Sequence, residues 1–205
     1  MTNSDKRRIG IMGGTFDPIH YGHLRAADEA HAAFGLSEVI FVPTGQPPHK
    51  TGERVSSAED RYMMTVLATV DCPYFSVSRI EIDKTGKSYT IDTLKQLKAM
   101  PEHSDAEFYF ITGLDAVLDI ASWKNPEEIM SLCKFVAVSR YGYARSRMEE
   151  LPEELRSAII SLEIPLLAIS STGLRERVRL DRSIRFLVSP SVEHFIRKNY
   201  LYRDI

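Results

Sequence analysis

Two histidines, His20 and His23, stand three residues apart behind a pair of glycines in the segment GGTFDPIHYGHL (13–24). Glycines directly after a buried strand let backbone N–H groups approach a bulky anion, and a helix starting behind them favours negative charge. Imidazoles at that entrance can donate to phosphoryl oxygens and stabilise the charge that builds during phosphoryl or nucleotidyl transfer. Two other readings of the pair are capping or surface histidines, and a zinc site completed by His31 or His49. The glycines are not a dinucleotide fingerprint, because GxGxxG is absent. The segment KTGKS (84–88) imitates the end of a phosphate-binding P-loop, but Glu81 stands where its first glycine belongs.

A second candidate lies far along the chain, in ISSTGLRERV (169–178). Ser170, Ser171 and Thr172 have the residue types that cap a helix, offering hydroxyls beside its free N–H groups. Arg175 extends from the first turn and can bind phosphate oxygens bidentately at any working pH. Taken alone, the segment is equally a helix cap with a solvent arginine. Residues 174–203 carry eight Lys or Arg against three Asp or Glu. Arg175 is the phosphate candidate among them, and Arg177, Arg179 and Arg182 read as surface.

These groups need a scaffold, and apolar runs of strand length alternate with stretches of helical period. Strands are expected at 7–12, 38–43, 74–82, 107–113, 134–140 and 165–170. Helices are expected at 23–35 with a Gly35 stop, at 89–100, 114–121, 126–132 and 146–160, from about Thr172, and over 191–199. Another runs from a capping box at Ser56 and Glu59 to about Val70. Strands apolar on both faces and alternating with helices give an α/β fold: Rossmann-like, doubly wound, with a mostly parallel sheet and helices on both faces. Ligands in such folds bind beyond the carboxyl ends of strands. The stretch 44–55 is rich in Gly and Pro and lacks an apolar anchor, which suits a lid.

The chain has 205 residues, which is one domain's worth, expected to span 1–205. It is 43% hydrophobic and 26% charged, and its net charge of −2 argues against a polybasic nucleic-acid coat. Cys72 and Cys133 form no CxxC pattern, so neither a disulfide framework nor a cysteine zinc site is expected. The N-terminus lacks signal-peptide character and no run of 18 apolar residues occurs, so a cytoplasmic protein without membrane or nucleic-acid partners is expected. A homo-oligomer is left open.

GGTFDPIHYGHL resembles the signature of the nucleotidyltransferase superfamily with an HxGH motif, and ISSTGLRERV resembles that superfamily's ISSTxxR. Four further segments resemble bacterial nicotinate mononucleotide adenylyltransferases: PTGQPPHK (43–50), SYTIDTL (88–94), FITGLDAVLDIASW (110–123) and the tail FLVSPSVEHFIRKNYLY (186–202). The matches keep family order from residue 9 to 202. The resemblance implies that ATP and nicotinate mononucleotide yield deamido-NAD and pyrophosphate by direct attack of the mononucleotide phosphate on the α-phosphorus. It implies His20, His23 and Arg175 as the catalytic set. For ATP binding it adds Gly13, Gly14, Thr15, Phe16, Gly113, Asp115, Ile169, Ser171 and Thr172. It implies Lys50, Tyr89, Thr90 and Trp123 for the mononucleotide. Mg²⁺ should arrive with ATP, since no acidic cluster suggests a protein cage. Trp123 can stack on the pyridine ring, and the helix start at Tyr89 and Thr90 can receive its carboxylate, which predicts a preference for the acid over the amide substrate. Rivals are a nicotinamide mononucleotide or pantetheine-phosphate adenylyltransferase on the same core, and a nucleotide sensor that binds without turnover.

Overall fold

The computed structural model describes residues 6–47, 55–140, 153–165 and 167–203. Six strands lie in one sheet: β1 (Arg8–Gly14), β2 (Glu38–Pro43), β3 (Phe75–Val77), β4 (Glu107–Gly113), β5 (Cys133–Arg140) and β6 (Ile159–Ile164). Their order is β3-β2-β1-β4-β5-β6. The pairs β1–β4, β4–β5 and β5–β6 are parallel, with Ile11 opposite Phe110, Gly113 opposite Val138 and Arg140 opposite Ile164. Successive strand side chains face opposite ways. Ile9 to Met12 and Phe108 to Ile111 are nevertheless buried without a break, so both faces of these strands are covered. The order runs outward from β1 through β3 and restarts at β4. The switch point therefore lies beyond the carboxyl ends of β1 and β4, which close on Gly14 and Gly113. The fold is the expected Rossmann-like α/β sheet.

The chain forms two compact units, Met1–Gly13 with Ala26–Ile40 and Tyr89–Leu166, and Gly14–Arg25 with Phe41–Ser88 and Leu167–Ile205. In the first, α3 (Thr90–Ala99) buries Ile91, Leu94 and Leu97 and packs beside α5 (Pro126–Leu132). The rings of Phe110 and Phe135 meet at 5.2 Å across β4 and β5. In the second, α2 (Ala58–Thr69) packs against α8 (Pro190–Lys198) and buries Arg61, Met64, Thr65 and Thr69. No helix among the described residues is long and apolar enough to cross a membrane.

Helix ends follow local chemistry. α1 (Tyr21–Phe34) stops where Gly35 turns left-handed at φ +58° and the Leu36 N–H reaches back to the His31 carbonyl. That is the glycine-terminated stop its sequence announces. α2 is capped one residue later than the expected box. Ser57 Oγ accepts the Asp60 N–H and donates to the Asp60 carboxylate, so the reciprocal pair is Ser57–Asp60 rather than Ser56–Glu59. Glu59 instead pairs with Arg79.

Three element expectations need correction. The strand at 74–82 shortens to β3, because bonds from Arg79 to Asp83 fold the following residues into a turn. Of the helix expected at 146–160, the described residues form α6 (Glu153–Ala158) and then leave the helix at Ile159, while 146–152 lie outside the described residues. Ile159–Ile164 is the last strand, where β-branched residues find a ladder partner in β5. The described residues of the segment 165–170, Pro165 and 167–170, are therefore not a strand: the ladder stops at Ile164 and Pro165 has no N–H to continue it.

Candidate active site

β1 ends on Gly13 and Gly14 and leads into a buried loop, Phe16 to His20, before α1 begins. Gly14 has no room for a side chain, since a Cβ would lie 2.7 Å from the Phe16 ring. Phe16 is 2% exposed and adopts φ +51°, a conformation strained for a bulky residue. Its ring stands edge-on to His23 at 5.1 Å and tilts against Phe41 at 5.9 Å. The ring thus supports His23 from behind.

His20 and His23 stack at 3.8 Å between ring centroids. The His20 carbonyl takes the His23 N–H, and the His20 N–H donates to His23 Nδ1. When the ring is neutral, that acceptor role leaves the His23 proton on Nε2. His20 Nδ1 is buried with no hydrogen-bond partner among the described residues. Burial lowers His20 to about 4, and burial followed by the charge of neighbouring His20 lowers His23 to about 3. Both rings are therefore neutral at pH 7. Gly22 makes the stack fit, because a Cβ there would meet His20 Nδ1 at 2.9 Å.

Arg175 joins the same loop from α7 (Ser171–Arg179). Its Nη1 donates to the Asp17 carbonyl at 2.9 Å, and Nη2 lies 3.4 Å from Thr172 Oγ1. Ser170 is the N-cap, accepting the Gly173 N–H, and Ser171 Oγ donates to the Pro18 carbonyl at 2.9 Å. Ile169 is half-buried just before the cap. The two expected segments are thus bonded through residues 17, 18, 171 and 175, across separations of 153 and 158 residues. Other arginines of this region pair with nearby carboxylates, Arg179 with Glu176, Arg185 and Arg197 with Glu193, and Arg203 with Asp181, while Arg177 binds the Ser183 carbonyl.

Sequence reasoning missed the buried polar groups beneath the loop. Arg61 is 1% exposed and places Nη1 on the Thr15 carbonyl, Nη2 on the Gly45 carbonyl and Nε on the Ser56 carbonyl, at 2.9, 2.9 and 3.1 Å. One guanidinium thereby grips the loop after β1 and both flanks of the stretch after β2. Burial lowers its pKa, and the Asp17 carboxylate opposes that shift. The Asp17 side chain accepts Tyr202 Oη at 2.6 Å and the Ser56 N–H at 3.2 Å. A signal was available for Arg61, which shares the apolar face of α2 with Met64 and Thr65.

The pyridine candidates lie in the first unit. Tyr89 is the N-cap of α3 and makes no side-chain cap bond, so the first-turn N–H groups, starting at Thr90, have no side-chain acceptor from the cap. Trp123 is half-buried, edge-on to Phe110 at 5.9 Å and to Phe135 at 6.0 Å. The structure adds Lys124, whose Nζ lies 4.7 Å from the Tyr89 ring centroid and 3.6 Å from Asp92. In the same unit, Gly113 is the N-cap of α4 (Leu114–Leu118), and Asp115 is exposed in its first turn. Gly13 lies close under the Phe110 ring, where a Cβ would be 3.3 Å away. Lys50 and His49 lie outside the described residues.

The cytidylyltransferase-like family model matches residues 11–177. A Saccharopolyspora erythraea protein named probable nicotinate-nucleotide adenylyltransferase is 53% identical over 200 residues, covering 98% of this chain and 92% of its own. One of the same name from Moorella thermoacetica is 50% identical over 201 residues, with 96% and 92% covered. Among solved structures, Plasmodium falciparum nicotinic acid mononucleotide adenylyltransferase complexed with NaAD superposes with a TM-score of 0.76. It is 23% identical, and 96% of this chain and 97% of that one are covered.

Proposed function

From its membership of the nicotinate-nucleotide adenylyltransferases, within the cytidylyltransferase-like family, we infer that this chain transfers AMP from ATP to nicotinate mononucleotide. The products are nicotinate adenine dinucleotide and pyrophosphate, a step of NAD biosynthesis. The observation that carries the reading to residues is the His20–His23 stack at the entrance of α1, on the loop whose Asp17 carbonyl takes Arg175.

In this reading the mononucleotide phosphate attacks the α-phosphorus of ATP directly, and no enzyme nucleophile forms a bond. Positioning and charge stabilisation supply the rate. His23 donates through Nε2 and His20 joins it on the phosphates; a polyanion beside the pair favours their protonated forms. Arg175, Ser171 and Thr172 hold the triphosphate at the start of α7 beside Ile169. Gly13, Gly14, Thr15 and Phe16 contribute through the turn, with the Phe16 ring behind His23. Asp115, with Gly113, takes the ribose hydroxyls. Lys50 serves the mononucleotide phosphate.

The pyridine ring stacks on Trp123, and its carboxylate meets the uncapped start of α3 at Tyr89 and Thr90, where Lys124 adds positive charge. A neutral amide gains less there, so the acid is the preferred substrate. For the cation that accompanies ATP we assign Mg²⁺. The described residues contain no group of three or more His, Cys, Asp or Glu able to hold a metal, so the residues present do not form a cage for it. We read 1–205 as one catalytic domain working in the cytoplasm.

Purified protein is incubated with ATP and, separately, nicotinate and nicotinamide mononucleotide, and products are identified by mass. Nicotinate adenine dinucleotide with pyrophosphate is the expected result. Binding of ATP without any product defeats the enzyme reading; equal or reversed efficiency with the amide defeats the carboxylate assignment.

A further inference from the structure

Tyr202 lies at the far end of the chain from the histidines, 185 residues from Asp17, yet its hydroxyl sits on the Asp17 carboxylate at 2.6 Å. Asp17 is 2% exposed, and each of its three oxygens accepts a hydrogen bond. Oδ1 takes the Tyr202 hydroxyl, Oδ2 takes the Ser56 N–H, and the backbone carbonyl takes Arg175 Nη1. The carboxylate thus fixes the peptide whose carbonyl aims Arg175. The same peptide leads through Pro18 and Ile19 to His20.

Reaching Asp17 requires an unusual path at the chain end. Tyr200 and Tyr202 both adopt left-handed φ, +54° and +63°, directly after α8. Phe16, beside Asp17, is a third bulky residue in that region at +51°. Left-handed backbone at non-glycine residues persists only where surrounding contacts over-determine it, and it gathers where geometry serves function. Burial and the adjacent Asp17 carboxylate raise the Tyr202 pKa, so the phenol remains a donor at every working pH.

We propose that Tyr202 is a positioning residue for adenylyl transfer: through Asp17, its hydroxyl sets the direction of Arg175 and the placement of the His20–His23 loop. The proposal rests on the function inferred above. It assigns to the last turn of the chain a part in the reaction that no contact with substrate requires.

The test is Tyr202→Phe in the full-length chain, assayed with ATP and nicotinate mononucleotide beside wild type. Tyr200→Phe serves as the control: it is an exposed tyrosine on the same turn. Wild-type turnover is measured first, and its absence overturns the function and not this proposal. Given an active wild type, Tyr202→Phe should lose about tenfold to a hundredfold in kcat, at a temperature where circular dichroism shows wild type and variant equally folded. KM for the mononucleotide should change much less. Because the hydroxyl acts through Arg175, the losses from Tyr202→Phe and Arg175→Lys should combine to less than their product. Tyr200→Phe should match wild type. If Tyr202→Phe does not fold, Asp17→Ala carries the same test, since it takes the side-chain acceptor away from both the phenol and the Ser56 N–H while leaving the backbone carbonyl that Arg175 uses. Wild-type kcat in the folded variant overturns the proposal. So does a loss that vanishes on cooling with recovery of structure, or full multiplicativity with Arg175→Lys.

Discussion

Lowering the pH from 7.5 to 5.5 should destabilise this protein through the His20–His23 pair, and replacing His23 should remove half of that loss. Burial holds His20 at about 4, and burial with neighbouring His20 holds His23 at about 3. An unfolded histidine titrates near ~6.5. Below that value the unfolded chain binds protons that the folded chain refuses, so unfolding becomes easier as pH falls. The contribution is fully present above about 6.5 and is lost as pH drops toward the folded values. At pH 5.5 an unfolded histidine is roughly 90% protonated while the folded ones remain neutral. The loss relative to pH 7.5 is then about 1.4 kcal/mol for each ring, or about 2.7 kcal/mol for the pair. The figure is insensitive to the depth of burial, because any folded value below about 4.5 gives nearly the same result at pH 5.5. The assay is urea unfolding of wild type and His23→Asn at both pH values. Asparagine can still accept the His20 N–H, so the loop keeps that bond. Carboxylates and other histidines contribute alike to both proteins and cancel in the comparison. The variant should lose about 1.4 kcal/mol less than wild type over this interval. Equal pH dependence in the two proteins would refute the argument, since it would mean that His23 titrates in the folded chain as it does in water.

His23→Ala should lower kcat by about 10²- to 10³-fold, the usual cost of one preorganised donor, with an unchanged circular dichroism spectrum; near-normal turnover would reduce His23 to a helix cap. Gly22→Ala raises helix propensity but drives a methyl into His20, so kcat should fall although the unfolding midpoint does not. Undiminished kcat would show that the ring's placement is unimportant. Gly45→Ala would put Cβ 2.1 Å from the Glu81 carbonyl oxygen, where backbone must move. A stability loss of about 3 kcal/mol is expected, and a midpoint matching wild type would contradict that packing.

The groups of the candidate site were legible where chemistry is written locally. Gly13, Gly14, His20 and His23 fall within eleven residues, and the Ser170 cap precedes Arg175 by five. Such spacing fixes which groups sit at which helix end, whatever the rest of the chain does. The apolar runs of β1, β2, β4 and β5 were equally plain, because strands buried on both faces need no alternation. Legibility failed where two local readings competed. The Ser56–Glu59 and Ser57–Asp60 boxes differ by one residue, and Arg79 decides between them by drawing Glu59 away. The Ile159–Ile164 segment carries enough helix formers before it to read as helix, and only a partner strand resolves it.

The sequence by itself determined the type of sheet, the entrances of α1 and α7, and the functional groups placed there, because short-range steric and hydrogen-bond rules govern each. Only the tertiary structure decided that Asp17 would be shared by Tyr202, Ser56 and Arg175, that Arg61 would hold three carbonyls, and that Lys124 would lie over Tyr89. Those contacts join residues with no fixed spacing, and their partners are chosen by burial: a polar group removed from water must find whichever acceptor or donor the fold brings to it.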